Sequence, residues 1–242
     1  MKHFFPLLLF YCMLLAGCTN PSPQQSTSHT SQSLSVLPAL PKMDRKINGL
    51  TFVAPPEPFS QNPMPAVQAV GAGWIAVVPY AFTRPGTPNV QYHEHGQQWW
   101  GERPAGARET IRLAHEAGIR VMLKPQVWIP RNWTGTLDFE STEDWATWEA
   151  DYERYILRFA ALADSTGADM FCIGTEFRTA IEKRPQFWNA LILKIKAVYK
   201  GKLTYSSNWD DWDKVPFWAE LDYIGLGGYF PLLQETTPDV DR

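Results

Sequence analysis

Short apolar runs alternate along this chain with longer segments whose apolar residues recur every three or four positions, so the pattern switches repeatedly between strand and helix. Trp74–Tyr80 is a short continuous apolar run, as expected for a strand covered on both faces, and Ile119–Val127 is a further strand carrying Lys124-Pro125-Gln126 toward its end. Ile47–Val53, Ala168–Glu176, Lys202–Trp209 and Tyr223–Tyr229 complete a set of six predicted strands. Between them lie predicted helices. A short one falls near Pro65 to Gly71, and Pro104 opens another whose Ile111, Leu113, Ala114 and Ala117 share a face before Gly118. Ser141 is placed to cap a long helix reaching about Ser165, with Glu143 and Asp144 in its first turn. Its aromatics Trp145, Trp148, Tyr152, Tyr155 and Phe159 recur at helical spacing, which predicts core contact. A further helix spans Arg184 to Tyr199, and a short one lies near Val215 to Glu220.

Six strand–helix steps of this kind point to the α/β class and to a (β/α)8 TIM barrel. A closed barrel takes eight strands and about 250 residues. The expectation is therefore a domain over 42–242 that stops after six units, a C-terminally truncated barrel. Such an open barrel exposes two strand edges and, as an isolated fragment, would fold poorly and aggregate. An open doubly wound sheet is the alternative architecture, although no Gly-rich phosphate loop follows the first strand.

The N-terminus adds a separate layer. Lys2 and His3 precede the apolar run Phe4 to Leu15, and Leu15-Ala16-Gly17-Cys18 resembles a bacterial lipobox. The run is short for a membrane span, so residues 1–18 read as a lipoprotein signal and Cys18 as the lipidated residue; a secretory signal with a chance Cys is the other reading. Residues 19–41, rich in Ser, Thr, Pro and Gln, read as a flexible tether. The expected location is the bacterial cell envelope, anchored to a membrane through Cys18. Cys12 leaves with the signal, and Cys172 stands alone in an apolar strand as a small buried hydrophobe. No disulfide or metal-ligand spacing results, and no cofactor is called for.

Composition narrows the chemistry. A net charge of -3 and a pI near 6.0 leave no basic stripe, which argues against nucleic acid as a partner. The outlier is 11 Trp, with Trp99, Trp100, Trp128, Trp133, Trp209 and Trp212 in predicted loops where a core cannot claim them all. His93 and His95, in the long loop from Ala81 to Arg103, read as surface residues. Polar residues gather where predicted strands end: Lys124, Gln126, Thr175, Glu176, Asn208 and Tyr229. In a parallel barrel those ends share one mouth. With Trp100, Trp128 and Trp209 nearby, the inventory is a carboxyl, hydrogen-bonding groups and flat apolar surfaces, which suits a carbohydrate. A salt-bridged rim residue is the other reading of Glu176.

Leu123-Lys124-Pro125, Ile173-Gly174-Thr175-Glu176, Tyr205-Ser206-Ser207-Asn208-Trp209 and Asp222-Tyr223-Ile224-Gly225 with Tyr229-Phe230-Pro231 resemble, in order and spacing, glycoside hydrolase family 113. Trp99-Trp100-Gly101-Glu102 fits the same pattern, and the resemblance covers roughly Ile47 to Leu233. It implies a barrel glycosidase that retains anomeric configuration and acts on β-1,4-mannan, with Glu176 as general acid/base. It also implies a nucleophile at the end of a seventh strand. Many members of that clan carry Asn before the acid/base, where this chain has Thr175. Three alternatives stay open: a carbohydrate-binding lipoprotein without hydrolysis, an inactive fragment, and an inverting pair drawn from Asp210, Asp211 or Glu235. The expected partners are an oligo- or polysaccharide and the membrane, with the chain a monomer.

Overall fold

The computed structural model describes residues 46–93 and 98–231. The leader, the tether, Cys18, His95 and Glu235 lie outside the described residues. Among the described residues there are eight strand segments: β1 (Gly49–Phe52), β2 (Trp74–Val77), β3 (Tyr80–Phe82), β4 (Arg120–Leu123), β5 (Gln126–Trp128), β6 (Met170–Thr175), β7 (Lys202–Asn208) and β8 (Tyr223–Gly227). The main sheet runs β1-β2-β4-β6-β7-β8, every neighbour parallel, and β3 pairs with β5 in a second parallel pair. Strand order follows chain order without a reversal. A doubly wound sheet reverses direction at a switch point, so that alternative is excluded and the architecture is the sequential sheet of a (β/α) barrel.

Two strands expected to be continuous are each split. Pro79 separates β2 from β3, and Pro125 separates β4 from β5, because proline has no N–H to give to the ladder. The Lys124 N–H donates to the Val77 carbonyl at 2.8 Å and the Gln126 N–H to the Pro79 carbonyl at 2.9 Å. Pairing therefore steps over both prolines, and β3 and β5 carry the wall toward the mouth.

Five helices accompany the strands among the described residues: α1 (Met64–Ala69), α2 (Pro104–Glu116), α3 (Thr142–Thr166), α4 (Arg178–Lys183) and α5 (Pro185–Val198). Ser141 caps α3 as its sequence predicts, its hydroxyl accepting the Asp144 N–H at 3.0 Å, and Gly167 ends the helix in the left-handed region with φ 67°. The aromatic stripe of α3 is buried throughout, and Trp148 stacks on Tyr152 with centroids 4.9 Å apart. Helix α4 has no counterpart among the predicted elements. The helix expected near Val215 to Glu220 is instead two 3-10 turns, Trp212–Lys214 and Trp218–Glu220.

At the N-terminal edge of the sheet the same device occurs twice. Asp169 precedes β6, donates its N–H to the Val121 carbonyl at 2.9 Å and accepts the Val121 N–H on Oδ2 at 2.9 Å. Asp222 precedes β8 and does the same with Leu203, at 3.0 and 2.9 Å. Each aspartate thus locks the start of its strand to the strand before. Partial burial works to raise the pKa of Asp222, but the Lys202 ammonium and the Leu203 N–H outweigh it and hold the carboxyl below its ordinary 3.8. A depressed carboxyl contributes stability above its unfolded value and loses it as pH falls through its folded one. Melting temperature followed from pH 5 downward is therefore expected to fall below about pH 3.8 in the native chain, and the Asp222→Asn variant should show a shallower fall. Parallel curves for the two would remove Asp222 from the acid response.

Candidate active site

The geometry of Glu176 begins with an irregularity in β6. Cys172 pairs with Thr204 and Thr175 with Ser206, so three steps along β6 match two along β7 and one residue bulges out. The bulge is supported from the core: the Tyr152 hydroxyl donates to the Ile173 carbonyl at 2.9 Å. Cys172 lies beneath it, fully buried, and burial pushes its thiol pKa up, which suits an inert hydrophobe. Beyond the bulge Glu176 adopts φ 56°, a region costly for any residue with a Cβ. Three contacts hold it there. The Glu176 N–H donates to the Ser206 carbonyl at 2.8 Å, and the Phe177 N–H donates to the Tyr205 hydroxyl at 2.7 Å. The Arg178 N–H returns to the Glu176 carbonyl at 3.0 Å, with Phe177 at φ -81° and ψ 57° as the centre of an inverse γ-turn. The Phe177 ring is sunk among Trp148, Tyr152 and Trp188, so the aromatic core fixes the backbone that presents the carboxyl.

That carboxyl opens into a cleft of about 580 Å³ at the C-terminal ends of the strands. Its Oε2 accepts the Trp133 indole N–H at 2.6 Å. Its Oε1 lies against β8, where a Cβ on Gly227 would come within 3.1 Å, so the bare backbone of Gly227 makes the room. Lys124 also faces this space, its ammonium 3.2 Å from the Ser206 hydroxyl. Gln126 and Thr175 line the walls, and Trp128 and Tyr229, 54% and 82% exposed, offer broad aromatic faces at the rim. Tyr80 stands edge-on to Trp128 with centroids 6.3 Å apart. Burial, then the nearby Glu102 charge, raises the Tyr80 pKa, so its hydroxyl stays protonated as a donor.

Of the residues singled out from sequence, the cleft gathers Glu176, Lys124, Gln126, Trp128, Thr175 and Tyr229. It does not gather Trp100, Asn208 or Trp209. Trp100 packs edge-on against Phe59 at 5.3 Å, Asn208 donates its amide to Asp210 at 2.7 Å, and Trp209 tilts against Phe230 at 5.9 Å. Asp210 and Asp211, weighed as partners of an inverting pair, are both engaged by the Arg178 guanidinium and do not line the cleft. Glu102 does not line the cleft; burial raises its pKa against the opposing bond from Gln98. Glu176 is the single carboxyl lining the cleft among the described residues. The cleft is also lined by Trp133, noted in the sequence only as a loop tryptophan, by Ser206, noted only within the Tyr205–Trp209 run, and by Arg131 and Gly227, which were not singled out.

A sequential parallel sheet with its polar cleft at the strand C-termini defines a (β/α)-barrel of the enzyme type. The chain belongs to Glycoside Hydrolase Family 113, whose model matches residues 57–242. It is similar to the GH113 β-mannanase AaManA from Alicyclobacillus acidocaldarius, solved in complex with ManMIm, at 26% identity and a TM-score of 0.68. That match covers 78% of this chain and 63% of the other. A GH113 β-1,4-mannanase solved as a complex matches at 27% identity and a TM-score of 0.60, over 68% of this chain and 54% of the other. The chain thus spans less than two thirds of the length of these structures. No curated protein matches it.

Proposed function

We propose that this chain is a glycoside hydrolase acting on β-1,4-linked mannan with retention of anomeric configuration, and that Glu176 is its general acid/base. The observation that carries the reading is the placement of Glu176 past the β6 bulge, facing a cleft rimmed by Trp128 and Tyr229. A sugar ring stacks its C–H face on such aromatic surfaces while its hydroxyls meet Lys124, Gln126 and Ser206. Glu176 then protonates the departing glycosidic oxygen and later takes a proton from the incoming water. The mannanase names of both structural relatives support mannan as the substrate.

Retaining chemistry needs a second carboxylate about 5–5.5 Å from the first. We assign it to a seventh strand flanking β8, a reading supported by the 44–56% exposure of Tyr223, Ile224 and Leu226, apolar groups a neighbouring strand would cover. We also propose attachment to the bacterial cell envelope through lipid at Cys18, with the domain acting as a monomer on its polysaccharide.

The test is incubation of the protein carrying that further strand with β-1,4-mannan and mannohexaose, following anomeric protons by NMR. Release of reducing ends as the β-anomer supports the proposal. Sugar binding by calorimetry without any release would instead favour a carbohydrate-binding role.

A further inference from the structure

Arg178 lies two residues beyond Glu176, at the start of α4, and does not line the cleft. Its guanidinium nevertheless sits 4.7 Å from the centroid of the Trp133 ring, the indole whose N–H donates to Glu176. The benzo edge of that ring presses on Gly135, where a Cβ would fall 2.4 Å from Cη2. Gly135 is fixed in turn, since the Thr179 hydroxyl of α4 donates to its carbonyl at 2.8 Å. The ring is therefore held by one residue of its own loop and by one cation from α4.

The cation is anchored as well. Arg178 Nε donates to Asp211 Oδ2 at 2.6 Å, and a terminal nitrogen reaches Asp210. The Asp211 side chain is only 5% exposed and also accepts the Ser207 hydroxyl at 2.7 Å. A nearly buried carboxylate with two donors fixes the plane of a guanidinium far better than a surface ion pair does. These contacts give the Asp210-Asp211 pair a use, and they tie the segment after β7 to the loop after β5.

We propose that Arg178 is a positioning residue for Glu176: anchored by Asp210 and Asp211, it stacks on Trp133 and holds the indole N–H against Glu176 Oε2. The proposal rests on the reading of Glu176 as general acid/base, because a fixed carboxyl matters when its proton must meet one particular oxygen. Misplacement of a reacting group by about 1 Å can cost up to roughly 100-fold in rate. Lysine cannot replace Arg178 here. It carries the charge, but it has no plane to stack and no fork to span two carboxylates.

The experiment uses the full chain with 15N-labelled indoles, the Trp133 peak being assigned by its loss in Trp133→Phe. Glu176→Gln is expected to move that peak, which reports the bond. Arg178→Lys should move it as well and speed exchange of its proton with solvent at least about tenfold. Asp210→Asn, a change at a more exposed site, should give a smaller shift of the same sign. A purely structural arginine would lower the melting temperature and leave the peak in place, and an unmoved peak in both variants overturns the proposal. On mannan, Arg178→Lys should lower kcat on the order of tenfold with KM within about twofold. Hydrolysis surviving in Glu176→Gln would refute the acid/base reading while the indole peak still judges the clamp.

Discussion

Replacing Glu176 by Gln is expected to cut hydrolysis of β-mannan by roughly 10²–10⁴-fold, the range that general acid catalysis contributes. The amide fills the same volume, and its oxygen can still accept the Trp133 N–H, so the cleft should keep its shape and the melting temperature should stay near that of the native chain. What is lost is the proton. The deficit should therefore shrink for aryl glycosides with acidic phenol leaving groups, which depart without protonation. Michaelis–Menten rates on mannohexaose and on an activated aryl mannoside, measured side by side, check both parts. Equal activity in native and variant would remove Glu176 from the chemistry.

The largest expected loss of stability is in Trp188→Ala. This side chain of α5 is 0% exposed, stacks on Phe217 at 5.8 Å and 24°, and meets Tyr205, Tyr152 and Phe177 at 5.8, 5.7 and 5.6 Å. Truncating a buried Trp to Ala costs about 3–5 kcal/mol, the lost transfer energy together with the cavity left behind. For a domain of this size that corresponds to a melting temperature lower by roughly 6–20 °C. The Trp188 Nε1 has no hydrogen-bond partner among the described residues, so the loss is one of packing, and Trp188→Phe should cost much less than Trp188→Ala. Equilibrium unfolding in urea of the three proteins checks the order; equal costs for the two variants would mean that the indole is not what fills the core.

The elements most legible in the sequence were those whose side chains answer to a single period. Helix α3 could be read from the sequence because Ser141 and the aromatic stripe agree, and the parallel strands because apolar runs bounded by turns have few other uses. Splitting at Pro79 and Pro125 could be read only in part, since whether a proline ends a strand or is stepped over depends on its neighbour's register. Helix α4 was hidden by its length of 6 residues, too short to show a period. The site divided along similar lines. Residues on strand ends, Lys124, Thr175 and Glu176, were placed by the barrel itself. Loop residues were not: nothing local distinguishes Trp133, which reaches Glu176, from Trp209, which packs on Phe230. Contacts joining positions 133, 176, 178 and 211 exist only once loops from three strands have converged.

The aspartate clamps carry a practical meaning. Asp169 and Asp222 secure strand starts, whereas Glu176 and its neighbours occupy strand ends, so the length of a strand separates the fastening of the sheet from its chemistry. The loop after β3 can be exchanged while the register beneath it stays bolted, whereas the loop after β5 must keep Trp133 and Gly135, which makes that first rim, rather than the sheet, the place to begin redesign.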